Sequence, residues 1–244
     1  MKSLKLSDSL EIAIRDSSLQ DTICALAEIG LDEAINEGLI REIPIIGTLV
    51  GMTRGVLSVR DRMFLKKIAS LLQEIDSVPA SVRQKMVDAI NASAAYNLKV
   101  GEKLLYIVDK CEDHEASAQV GRLFKSFLDG RISYADFLRL ARAIDQLHST
   151  DLKEFMNSDW DDLSPEEGSI YLGTCLVSVD PLEIRVEDET DHDMGSPYRV
   201  ENGTLKMSVT RLGWVLRAVL STNDIPPTPP KRSFSGFPWN ESPS

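Results

Sequence analysis

The sequence is poor in the residues from which disulfide frameworks and metal sites are built. Its three cysteines, Cys24, Cys111 and Cys175, lie far apart and form no Cys-x-x-Cys or Cys/His pair, so neither a disulfide framework nor a zinc site is indicated. None of the three histidines has a second histidine at ligand spacing. We therefore predict no metal and no cofactor, and unpaired thiols fit a reducing cytoplasm.

Motifs for nucleotide hydrolysis and nucleophilic catalysis are also missing. The chain has neither the Gly-x-x-x-x-Gly-Lys-Ser/Thr loop that cradles phosphates nor a Gly-x-Ser-x-Gly elbow. Asp129–Phe137 resembles the second half of an EF-hand calcium-binding loop. In the first half of that loop, however, Lys125 and Phe127 would occupy positions that need oxygen ligands. We interpret it as a tight turn in which Ser133 caps the next helix. The sequence thus predicts a protein that is not an enzyme.

Positive charge is scarce, and its distribution is uneven. The net charge is −11, which argues against duplex DNA as a partner because backbone binding needs Lys and Arg. Residues 1–150 carry 19 basic and 21 acidic side chains, whereas residues 151–244 carry 8 and 17. The nearly neutral N-terminal part is where contact with a membrane or a partner would cost least. No signal peptide is expected, because Glu11, Arg15 and Asp16 interrupt the first apolar stretch.

Hydrophobic spacing predicts a mainly α-helical chain, and a hydrophobic content of 43% is enough for a real core. One helical pattern runs without a clear stop from Ile43 to about Ile75. We predict N-terminal helices over residues 1–40, a helical body over 41–150, a small α+β module over 160–221 and a disordered tail over 222–244.

The C-terminal module has the element order of a winged helix. Ser164-Pro165 begins a helix expected to reach about Cys175, and strand patterns, an acidic loop at Glu187–Asp193 and a closing helix at Thr210–Leu220 follow. An acidic wing would repel a DNA backbone, so the module is predicted to sense a ligand or contact a protein. Its candidate patch for one short nucleic-acid or nucleotide ligand comprises Arg199, Lys206, Arg211 and Arg217.

The tail is rich in proline between Pro226 and Pro230, which excludes regular helix or sheet and favours polyproline II. Two interpretations stay open for it. It is either an inert tail or a linear motif anchored by Phe234, Phe237 and Trp239.

The segment Ile43–Val59 is apolar and carries glycine at every fourth position. In one continuous helix, Gly47, Gly51 and Gly55 would share a face with Arg54 and Ser58. The opposite face would be apolar, with Ile45, Leu49, Met52, Val56 and Val59.

Three helical glycines cost about 3 kcal/mol relative to alanine, so close packing should offset them. In a bilayer, small residues spaced by four let helices approach closely. Seventeen helical residues reach only about 25 Å against a hydrocarbon core of about 30 Å, and Arg54 adds about 3 kcal/mol at a helix centre. A lone spanning helix is therefore not expected, but an oligomer could hide Arg54 in a wet lumen. The alternative is a soluble bundle whose helices cross at the glycines.

Two segments, Ile43–Asp61 and the strand-to-helix step Lys206–Gly213, resemble those of small effectors of bacterial anti-phage defence, in particular the Hailong ion-channel type. That resemblance implies a membrane-acting helical part restrained by a sensing part that binds short DNA oligomers. The predicted function is a homo-oligomeric defence effector that permeabilises the inner membrane. The alternative is a soluble helical adaptor or regulator that binds a protein partner.

Overall fold

The described residues divide into two units, the first ending at Leu152 and the second beginning at Lys153. The computed structural model describes residues 5–29, 33, 43–52, 57–180, 185–188, 198–201 and 205–221. The Pro-rich tail, Arg54 and Gly55 lie outside these residues. Each unit is described by itself.

The described part of the first unit is helical. In chain order its helices are α1 (Leu6–Arg15), α2 (Leu19–Ile29), α3 (Pro44–Met52), α4 (Val59–Ile75), α5 (Ala80–Asn91), α6 (Val100–Lys110), α7 (His114–Leu128) and α8 (Tyr134–Gln146). Helix α9 (Ser149–Asn157) contains the boundary between the two units.

The predicted continuous helix from Ile43 to Ile75 is wrong, because α4 has its own start. Ser58 is extended, with ψ of 165°, and its side chain accepts a hydrogen bond from the Asp61 N–H. The Asp61 carboxylate accepts one from the Ser58 N–H in return, at 2.9 Å. This capping box satisfies two backbone donors at the helix start. Ser58 is therefore an N-cap and does not extend the glycine face of α3.

Helices α4 and α7 pack lengthwise and form the centre of the first unit. Gly121 lies where they approach, since an added Cβ would stand 2.9 Å from the Glu74 Cβ and 3.0 Å from the Leu71 carbonyl oxygen. The turn between α7 and α8 is tight, as predicted: Gly130 has a φ of 74° and Ser133 caps α8.

A buried arginine joins two helix ends in the same unit. Arg83 of α5 is 2% exposed, and its Nε donates to the Ile14 carbonyl at 2.6 Å. Its other nitrogens donate to carbonyls of Asp16, Ile75, Asp76 and Val78. Burial lowers the pKa of Arg83, and the carboxylates of Asp16 and Asp76 oppose that effect. Arg83 thereby satisfies carbonyls at the C-termini of both α1 and α4.

The second unit combines short helices with small antiparallel sheets. Its elements after α9 are β1 (Asp162–Leu163), α10 (Pro165–Gly168), a 3₁₀ turn (Ser169–Tyr171), β2 (Val177–Val179), β3 (Arg185–Asp188), β4 (Tyr198–Glu201), β5 (Met207–Val209) and α11 (Arg211–Leu220). One sheet has the strand order β1-β5-β2, and β3 pairs with β4 as a hairpin. A mainly helical chain with a small antiparallel C-terminal sheet is thus confirmed.

The first helix of that unit is shorter than predicted. Ser164 caps α10 through a capping box with Glu167, and Pro165 occupies the first turn, as expected. However, α10 ends at Gly168 rather than near Cys175. After the 3₁₀ turn, Gly173 has a φ of 86°, which is a left-handed conformation that cannot continue a right-handed helix.

Candidate functional site

Helix α3, the glycine-bearing helix, packs on α1 in the first unit. It contains no charged residue, and Ile45 and Ile46 are fully buried. Thr48 Oγ1 donates to the Pro44 carbonyl at 2.8 Å and lies 2.7 Å from Ser9 Oγ. The Ser9 hydroxyl also lies 3.3 Å from the Lys5 carbonyl oxygen, so either hydroxyl can donate in the Ser9–Thr48 pair. The contact between α1 and α3 is therefore apolar with one partly buried hydroxyl pair.

The outer part of α3 is open. Gly47 is half-buried and Gly51 is exposed. Among the described residues, nothing lies within 4 Å of a Cβ built on Gly51. Met52, predicted on the apolar face together with Ile45, is 54% exposed. The proposed division into a small face and an apolar face therefore does not match the burial of this helix.

Large apolar side chains are exposed where α3 ends and α4 begins. Val59 is 75% exposed and Met63 is 55% exposed, in addition to Met52. Val59 and Met63 share a face of α4, being four residues apart. Exposed Arg60 and Arg62 lie between them in sequence. We call Met52, Val59 and Met63 the apolar junction.

The length of α3 limits what it can do in this conformation. Nine helical residues rise about 13.5 Å, less than half of a hydrocarbon core of about 30 Å. Within the described ranges, no helix combines the length and the apolar character that a membrane crossing requires.

Of the four cations predicted to hold an anionic ligand, Arg217 points inward. Its side chain is fully buried, and its guanidinium donates at 2.9 Å to the carbonyls of Phe155 and Trp160 and at 2.8 Å to Ser158 Oγ. The guanidinium carbon lies 4.4 to 4.9 Å from the ring centres of Phe155, Trp160 and Trp214. Burial lowers the pKa of Arg217 to about 10. Arg217 holds the end of α9 against α11 and is not at a ligand surface.

The other three cations have separate positions. Lys206 is exposed, and its carbonyl accepts from the Asp180 N–H at 2.9 Å, next to β5. Arg211 is half-buried in the first turn of α11, which Thr210 caps. Arg199 pairs in register with Glu187 in the β3–β4 hairpin, and its side chain lies outside the described residues. Among the described members of the predicted patch, Lys206 and Arg211 are thus the ones that are not buried.

No family model matches the chain, and neither a curated protein nor a solved structure matches it. In the part of the chain that the structure describes, no group of three His, Cys, Asp or Glu side chains could hold a metal ion.

Proposed function

We propose that this protein is a homo-oligomeric bacterial defence effector that permeabilises the inner membrane, with its C-terminal module as the control element. The observation that carries the proposal is the apolar junction, three large exposed side chains of which Met52 ends the charge-free helix α3 and Val59 and Met63 lie in the first turns of α4. Burying such a side chain completely is worth about 1.5 to 3 kcal/mol. In the isolated chain Met52, Val59 and Met63 are exposed to solvent and lack that stabilisation. Contact with a lipid surface or a second copy would bury them and supply it.

In this proposal the described conformation is the resting one. Helix α3 packs on α1, and the Ser58 capping box starts α4 as a separate helix. Membrane action requires α3 to leave α1 and several copies to assemble around their glycine faces. Exposed Arg60 and Arg62 would then lie at headgroup level. In the C-terminal module, Lys206 and Arg211 are the side chains to hold a short anionic ligand, such as a nucleic acid, that restrains the assembly.

The test is Gly51→Leu, measured as dye leakage from vesicles of phosphatidylethanolamine and phosphatidylglycerol and as cross-linked oligomer. Because the space around Gly51 is open, leucine should leave the monomer folded and even favour the helix by up to about 1 kcal/mol. We expect wild type to cause leakage and the variant to lose both leakage and oligomer.

Ala89→Leu, which adds a leucine at an exposed position of α5, is the matched control and should leak like wild type. Failure of the wild-type protein to bind or permeabilise vesicles would reject membrane action. Full activity of Gly51→Leu would reject packing through the glycine face.

The second candidate is a soluble helical adaptor, favoured by the packing of α3 on α1 through Ile45, Ile46 and the Ser9–Thr48 pair. In that function the apolar junction contacts a protein partner. A monomeric protein that leaves vesicles intact and forms a stable complex sensitive to Met63→Glu would support it.

A further inference from the structure

A groove between α6 and α8 shares no residue with the apolar junction, the glycine-bearing helix or the predicted cation patch. It has a volume of about 600 Å³, within the range of about 300 to 1,000 Å³ typical of binding pockets. Its apolar wall includes Ile107 and Leu138, both half-buried, and the buried Ala141. Tyr106 stands beside this wall and is 57% exposed.

The groove is elongated along the two helices. On α6 the lining residues run from Lys103 to Lys110, and on α8 they run from Leu138 to Gln146. Seven helical steps correspond to about 10 Å, or two turns. A groove lined over two turns of each helix is long enough for the apolar face of a bound helix, whose anchors recur at i, i+3 or i+4, and i+7.

The rim is basic although the chain as a whole is acidic. Three cations, Lys103, Lys110 and Arg142, line the groove with one acid, Asp145. Lys110 lies 3.8 Å from Asp145 in an exposed pair, which contributes little. Within the described residues, no ion pair engages Lys103 or Arg142. Two rim cations are therefore available to carboxylates of a bound molecule.

We propose that the α6–α8 groove binds an acidic amphipathic helix of a partner protein. Apolar anchors of that helix cover Ile107, Leu138 and Ala141, and its flanking carboxylates face Lys103 and Arg142. Tyr106 supplies the exposed aromatic side chain that is enriched at interfaces. The charge pattern selects an acidic partner and speeds its association, because complementary charges steer encounter.

The experiment uses the full-length chain and a fluorescein-labelled model peptide of about 15 residues. The peptide carries leucine at i, i+3, i+4 and i+7 with flanking glutamates. A second peptide, the lysine peptide, has lysine in place of each glutamate. Fluorescence anisotropy at about 0.15 M salt should show the acidic peptide binding at least about tenfold more tightly than the lysine peptide. The double variant Lys103→Glu/Arg142→Glu should weaken acidic-peptide binding by about tenfold or more.

The matched control is Arg60→Glu/Lys85→Glu, which changes the net charge equally at two exposed positions on α4 and α5, helices that do not line the groove. It should bind the acidic peptide within about twofold of wild type, because neither residue lines the groove and exposed charges more than about 8 Å apart are largely screened at this salt concentration. Circular dichroism checks that both double variants are folded. No binding of the acidic peptide, or an equal loss in both double variants, would overturn the proposal. So would a single-stranded oligonucleotide that binds through Lys103 and Arg142 while the peptide does not.

Discussion

Replacing Arg83 by methionine should destabilise the first unit by about 4 kcal/mol. The aliphatic stem of arginine and the side chain of methionine are similar in shape, so the substitution mainly removes the guanidinium and its hydrogen bonds. That group donates to five carbonyls, of Ile14, Asp16, Ile75, Asp76 and Val78. Each buried acceptor left without a partner costs about 1 to 3 kcal/mol.

The five costs do not simply add. The Ile75 and Asp76 contacts are long, at 3.5 and 3.3 Å, and contribute little. Three acceptors remain that would lose a close, charged donor, and water entering at the helix ends would recover part of the loss. The resulting 4 kcal/mol is a large share of the typical domain stability of about 5 to 15 kcal/mol. Arg83→Lys keeps the charge but not the planar fork, so we expect about half the effect.

Urea unfolding followed by far-ultraviolet circular dichroism measures this difference. With a slope of about 2 kcal/mol/M, the midpoint for Arg83→Met should fall by about 2 M. Lys85→Met, an exposed change in the same helix, should shift the midpoint by less than about 0.3 M. A midpoint for Arg83→Met close to that of Lys85→Met would refute the idea that one guanidinium holds the ends of α1 and α4.

Three further predictions concern other parts of the chain. Gly213→Ala should destabilise the second unit by about 1 to 3 kcal/mol, seen in tryptophan fluorescence melts, because its methyl group would overlap the Leu176 carbonyl oxygen; an unchanged melt contradicts this. Burial raises the pKa of Cys111 to about 11, so at pH 8 iodoacetamide should modify exposed Cys24 well before Cys111, as followed by mass spectrometry; equal rates argue against it. Ser58→Ala removes the α4 cap and should cost about 1 kcal/mol in urea unfolding; no loss would mean that the capping box is unimportant.

Local signals in the sequence were sufficient for much of the fold. Ser133 and Ser164 were predicted as helix starts, and both side chains accept the expected backbone hydrogen bond. Each signal involves residues within four positions of each other, so it can be recognised in the sequence without knowledge of tertiary contacts. The separation of α3 from α4 was missed although Ser58-x-x-Asp61 is such a signal. The apolar spacing continues across it and hides the break.

The candidate site was harder to predict because it depends on contacts between distant parts of the chain. Arg217 was grouped with surface cations, but its acceptors at Phe155 and Trp160 lie 62 and 57 residues away. No local pattern marks Arg83 as buried, because its acceptor Ile14 lies 69 residues away. The neighbouring sequence does not distinguish a buried arginine that packs in an aromatic cluster or at a helix end from an exposed arginine that binds a ligand.

Among the described helical glycines, those packed against a backbone carbonyl differ from Gly51 in a way that bears on oligomerisation. Gly101, Gly121 and Gly213 lie in helices where an added Cβ would meet a backbone carbonyl of another segment, so close packing within the chain accounts for them. Gly51 has no such neighbour among the described residues. Its cost to α3, about 1 kcal/mol relative to alanine, is therefore not offset by any described contact within the chain. A contact supplied from outside, by a second copy or a partner at the glycine face, would offset it, and Gly51→Ala is the smallest change that removes the space for that contact.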